Sequence, residues 1–237
     1  FKTSTTSSSK LMFKESGYYY LAYDLDLTGL VDIPKDQNIV ICLNGCKITS
    51  PSSAFMLIGN LTICDCDGTG EIETTYTGNG GVVKLHNGAQ FNLYGGTLTN
   101  TKEVSTGGAI VVVSTDNYNS MAPSTKTDTV FNMYGGTLKG GRTSGSGGNV
   151  TLWHDKCAFN MYGGEIYNNY AKGTTPSRHS VIAGNKHIIG GSIHDNYYFT
   201  AWTTPTKNDS GVYSSELDIN GATEIGNGVG STKTYDY

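Results

Sequence analysis

One phrase recurs along this chain, and it limits the fold more than any other feature. Phe91-Asn92-Leu93-Tyr94-Gly95-Gly96-Thr97-Leu98 returns as Phe131-Asn132-Met133-Tyr134-Gly135-Gly136-Thr137-Leu138, then as Phe159-Asn160-Met161-Tyr162-Gly163-Gly164-Glu165-Ile166. It weakens to His187-Ile188-Ile189-Gly190-Gly191-Ser192-Ile193, then to Leu217-Asp218-Ile219-Asn220-Gly221. The first four glycine pairs begin 40, 28 and 27 residues apart. A single supersecondary unit is therefore stacked, with longer loops in some copies.

Within each copy the residues alternate. Phe91 and Leu93 point one way and Asn92 and Tyr94 the other, the period of a half-buried strand. The Gly-Gly pair lets the backbone turn sharply. A second short strand follows, with Leu98, Leu138, Ile166 or Ile193 as its buried residue, and a third precedes the phrase at Val82–Leu85, Ile110–Val112 and Val150–Leu152. Like residues at like points of each copy require like strands to lie in parallel register, about 4.8 Å apart. The expected fold class is all-β, a single right-handed parallel β-helix with three short strands per coil.

Composition fits this reading. Glycine accounts for 32 of 237 residues, nearly twice the usual share of about 7 %, and is spread through the repeats. Residues 1–10 read as a polar linker and 11–237 as one domain, with about 11–37 a cap and about 38–227 the coils. A cap is expected because an open solenoid end would recruit another chain. The net charge of −4 is scattered, which argues against nucleic acid and anionic membrane as partners. No run of about 20 apolar residues is present.

The passage Tyr19 to Ile48, with its Asp-rich strand, Ile33-Pro34 step and Leu43-Asn44-Gly45, resembles the start of β-helix domains in large surface proteins of Gram-positive, often gut, anaerobes. Leu61-Thr62-Ile63-Cys64-Asp65-Cys66-Asp67-Gly68-Thr69-Gly70 resembles the strand that follows in them, and the Phe-Asn-Met-Tyr-Gly-Gly phrase is similar to their repeat. The resemblance covers roughly residues 18–227. It implies a secreted or wall-attached β-helix of the pectate-lyase-like group, extracellular or on the bacterial cell surface, joined to other domains of a larger chain. It implies no activity.

Polysaccharide-cleaving relatives on this fold carry convergent acids and bases on outward strand positions. Here the outward rows are Asn92, Asn132, Asn160, His187 and Asp218, and beside them Tyr94, Tyr134, Tyr162, Ile189 and Asn220. Neither row pairs carboxylates. The alternative catalytic cluster is Glu165 with His194 and Asp195, near Lys139. The expectation is a non-enzymatic adhesin or carbohydrate-binding module, with a polysaccharide lyase or glycoside hydrolase as the alternative and a structural spacer as the third.

Candidate ligand-binding residues are Tyr94, Tyr134, Tyr162, Asn132, Asn160, Trp153 and Trp202. A strip of phenol rings could receive the C–H faces of sugars, with the Asn row bonding hydroxyls, so the partner is a polysaccharide or a host glycan or protein. Stacked like residues also stabilise any parallel sheet without a ligand. On the third strand, Lys84, Val111 and Thr151 read as one outward row and His86, Val113 and Trp153 as the next. Asn100, Asn168 and Asp195 fall at one turn as a candidate amide ladder. Of the five cysteines, Cys157 reads as a buried thiol. Cys42 and Cys64 occupy the same strand position 22 residues apart, within disulfide range if stacked. A bridge, reduced thiols and a four-thiolate metal site all suit Cys42, Cys46, Cys64 and Cys66 on spacing. No cofactor and no metal is expected.

Overall fold

The computed structural model describes residues 2–3, 13, 15–78, 80–105, 108–114, 128–144, 149–172, 182–199 and 222–224. Among these the chain is all-β, without helices, and nearly every strand pair is parallel. The strands form four stacks. Sheet A has eight strands, including Asn38–Cys42, Asn60–Cys64, Gln90–Leu93, Thr129–Met133 and Cys157–Met161. Sheet B has seven, among them Lys47–Ser50, Thr97–Asn100 and Glu165–Tyr167; sheet C has six, among them Val83–Leu85, Val111–Val113 and Val150–Leu152. The chain passes from A to B to C and returns to A one strand further along. This arrangement of stacked parallel strands is compatible with a parallel β-helix or solenoid.

Three strands per turn holds only as far as Val83–Leu85. From Glu103–Val104 onward a fourth strand enters between B and C, followed by Arg142–Thr143, Tyr170–Lys172 and Tyr197–Phe199, with Ala222–Glu224 closing this sheet antiparallel. The first two of these strands are two residues long. Each bears one inward residue, Val104 or Thr143, too little for an alternation pattern to show. Within 11–37, Gly17–Tyr20, Leu25–Asp26 and Val31–Ile33 each pair parallel with the next coil.

The core is a set of columns. In sheet A one inward column runs Ile39, Leu61, Phe91, Phe131 and Phe159, all buried, with the phenyl centroids 4.9 and 4.8 Å apart. A second runs Ile41, Ile63, Leu93, Met133 and Met161. Removing apolar side chains from water across the stacked sheets supplies the main driving force. The first column ends at Lys186, which pairs with Phe159; burial holds its ammonium below the ordinary lysine pKa.

Sheet C corrects one register. Val83 pairs with Val111, which pairs in turn with Val150, so Lys84, Val112 and Thr151 form the outward row, while Val111 and Val113 face in. The same offset sets Gly108 against Gly80; aligning it with Gly81 slips the strand by one residue and reverses its faces.

Candidate functional site

The glycine pairs place the tyrosines. A Cβ on Gly135 would stand 2.5 Å from the carbonyl oxygen of Tyr94, and one on Gly163 would stand 2.6 Å from that of Tyr134. The second glycine of each pair has positive φ, +80° at Gly136 and +91° at Gly164. Only glycine satisfies both demands, so each coil leaves sheet A at the same point with its tyrosine pointing outward.

The result is a continuous outer strip. Tyr94, Tyr134 and Tyr162 are 54, 40 and 44 % exposed. Their rings stack with centroids 4.5 and 4.9 Å apart and planes within 13° and 8° of parallel. Beside them, Asn132 Nδ2 donates to Asn92 Oδ1 at 3.0 Å and Asn160 Nδ2 to Asn132 Oδ1 at 2.8 Å. Asn92 Nδ2 extends this amide ladder to Thr62 Oγ1 at 3.3 Å. Burial, then the neighbouring phenols, raises the Tyr134 pKa, so its hydroxyl stays neutral and can both donate and accept.

This geometry changes how the strip can act. Tyr134 has a ring against each of its faces, and Tyr94 and Tyr162 each have one face covered. Sugars cannot lie flat along the row. What faces solvent is a line of ring edges and hydroxyls over a rigid sheet. Ile189, 56 % exposed, continues the row after Tyr162. In the other direction the row passes to Cys64, Cys42 and Tyr20, a sulfur segment inside the same column.

The other candidates lie apart from this strip. Trp153 is 47 % exposed, but it follows the sheet C strand Val150–Leu152. The whole strand Cys157–Met161, about 16 Å long, separates it from Tyr162. Trp202, Asp218 and Asn220 lie outside the described residues.

The alternative catalytic residues lie on paired strands one coil apart, two residues out of register. Glu165 pairs with Thr137 and Ser192, whereas His194 occupies the row of Lys139 and Tyr167. His194 stacks on Tyr167 at 5.3 Å, and its Nδ1 lies 2.7 Å from Asp195 Oδ2. The imidazole is thus held by Asp195 and Tyr167, with Glu165 opposite Ser192 instead. The expected turn ladder is shifted by one residue. Asn169 and Asn196 are the buried members with Asn100, and Asn169 Nδ2 donates to the carbonyls of Leu138 and Tyr167 at 3.0 Å. Asn168 and Asp195 precede them in left-handed conformation, φ 52° and 49°.

Two features escaped the sequence reading. Lys47 Nζ reaches Glu73 at 2.7 Å and Glu71 at 3.2 Å, an ion-pair group on sheet B of the early coils. A polar hollow of about 530 Å³, lined in part by Lys35, Asn38, Asn60 and Asn87, lies at the corner where sheet C returns to sheet A. Asn38 and Asn60 each open a sheet A strand, a recurrence visible in the sequence once the strands are aligned. No protein-family model, curated protein or solved structure matches this chain.

Proposed function

We propose that the chain is a right-handed parallel β-helix, part of a large secreted or wall-attached protein of a Gram-positive anaerobe, and that it works as a non-catalytic binding module. The ligand is an extended polysaccharide or host glycan lying along the tyrosine–asparagine strip. The observation that supports the reading is the exposed, regularly spaced line of phenol hydroxyls at Tyr94, Tyr134 and Tyr162 beside a hydrogen-bonded amide ladder. A rigid surface of this kind loses little conformational entropy on binding, and hydroxyl and amide groups suit the hydroxyls of a sugar chain. Because the ring faces are taken up by their neighbours, recognition runs through edges and hydroxyls.

A glycan panel tests this. Tyr134→Phe removes only the hydroxyl and should weaken binding roughly five- to tenfold, the worth of about one hydrogen bond. Tyr134→Ala with Tyr162→Ala should abolish binding. If the double variant binds as wild type does, the strip is not the site. Cleavage of a polysaccharide by the wild-type chain, lost in Glu165→Gln, would replace this reading with a lyase or hydrolase.

A spacer role has one specific observation in its favour. The asparagines bond to one another and to Thr62 along the whole ladder. Absence of binding across the whole panel would select it.

A further inference from the structure

We propose that Cys42 and Cys66 are the two halves of a disulfide that joins one coil to the next. Cys42 pairs with Cys64 across sheet A, so a bridge would be expected between those two. Cys64 lies beside both Cys42 and Cys66, but the shortest sulfur approach is a different one. Cys42 Sγ lies 2.6 Å from Cys66 Sγ, closer than two unbonded sulfurs settle, although both are free thiols here and a bond would be about 2.05 Å. Cys64 Sγ lies 3.6 Å from the carbonyl of Ile41.

The turn that brings Cys66 back over Cys42 is firmly held. Asp65 Oδ1 accepts from the Gly45 amide at 2.8 Å and Asp65 Oδ2 from the Gly70 amide at 2.7 Å, tying two successive coils to one carboxylate. A Cβ on Gly70 would stand 2.6 Å from Leu43 Cβ, so the turn has no slack there. Cys66 is exposed, so an oxidant can reach it, while Cys42 is buried beneath.

The bond forms by thiol–disulfide exchange with a disulfide-bearing oxidant. The Cys66 thiolate attacks one sulfur of the oxidant and releases its other half as a thiol. Cys42 sulfur then attacks Cys66 sulfur in the mixed disulfide and releases the second half. The two cysteines lose two protons and two electrons, and the oxidant is reduced to two thiols. Contact with Cys42, then burial, raises the pKa of the Cys66 thiol. Little thiolate is present at neutral pH, so formation is slow there and quickens as pH rises.

The test uses the whole chain with oxidised glutathione, compared with dithiothreitol. Proteolysis followed by fragmentation between Cys64 and Cys66 should show Cys42 linked to Cys66, and Cys157, which is buried, left unmodified. Oxidation should raise the Tm by roughly 5–10 °C, as expected for closing a loop across a sequence separation of 24 residues. Cys64→Ser should keep that rise and Cys66→Ser, an exposed substitution, should lose it. A Cys42–Cys64 linkage, a rise that survives Cys66→Ser, or stable glutathione adducts without an internal link would each overturn the proposal.

Discussion

The coils before Leu85 and those after Gln90 share one backbone register but fill it differently. In sheet A the inward slot holds Ile39 and Leu61 early, then Phe91, Phe131 and Phe159. The outward slot at the strand end holds Cys42 and Cys64 early, then Tyr94, Tyr134 and Tyr162. The inward change swaps one apolar group for another. The outward change swaps a short thiol column for an aromatic ladder. Parallel stacking dictates only which slots are inside. Outside, any side chain that tolerates its own kind 4.8 Å away can form a column, and that freedom is where function can differ between coils.

The largest test of this contrast lies in the core. Phe131→Ala, in the middle of the phenyl column, should cost about 3–5 kcal/mol, and Leu61→Ala in the early coils about 2–5 kcal/mol, read by urea unfolding. A harmless Leu61→Ala would show that the two halves do not share a continuous core.

Next come the turns. Gly68 and Gly136 have similar φ, +90° and +80°, but a Cβ at Gly68 meets nothing within 4 Å, while one at Gly136 would stand 2.7 Å from the Gly96 carbonyl oxygen. Gly68→Ala should therefore cost only the left-handed strain, about 1–2 kcal/mol. Gly136→Ala should add about 1–3 kcal/mol for the clash. Equal costs would mean that the Gly136 turn yields to a Cβ as freely as the open Gly68 turn does.

The same contrast explains what the sequence revealed. The repeated phrase preserves register through its glycine pairs, so the Phe and Met columns and the Asn and Tyr rows were all readable. Where that anchor fails, register fails. Gly81 and Gly108 look equivalent but are not, which misplaced Val111 and Val113. Asn168 and Asn169 are chemically alike, and only backbone conformation decides that the first adopts positive φ and the second is buried. Strand position alone predicted Cys42 beside Cys64, and it could not show that Asp65 folds the turn so that Cys66 meets Cys42. Nor could it show that tyrosines stacked 4.5–4.9 Å apart hide their faces from a sugar.

A smaller effect belongs to the amide ladder. Asn132 donates to Asn92 and accepts from Asn160, so Asn132→Ala should cost about 1–2 kcal/mol. Thr62→Ala, at the early end of the ladder with one longer bond of 3.3 Å, should cost under about 1 kcal/mol. If the order is reversed, the ladder is held from its early end, not its centre.

The smallest effects come from two lysines at opposite ends of the stack, and they have opposite signs. In the early coils, the hydrogen bond that Lys47 donates to Glu73 raises the Lys47 pKa above the ordinary value of 10.5. The folded state then holds its proton more tightly than the unfolded chain. Its stabilisation is complete below pH 10.5 and is lost as pH rises through the elevated folded value. The group is partly exposed and screened by salt, so the contribution should stay under about 1 kcal/mol. At the late end, burial lowers the Lys186 pKa below 10.5. There the unfolded chain binds the proton more tightly. The penalty is full below the depressed folded value and shrinks as pH climbs from that value toward 10.5. Unfolding free energies of Lys47→Met and Lys186→Met, each subtracted from wild type across that alkaline range, should therefore diverge. The loss caused by Lys47→Met should fade as pH rises past 10.5, and the gain from Lys186→Met should fade before it. Curves that fade over the same interval would mean that burial does not depress the Lys186 pKa.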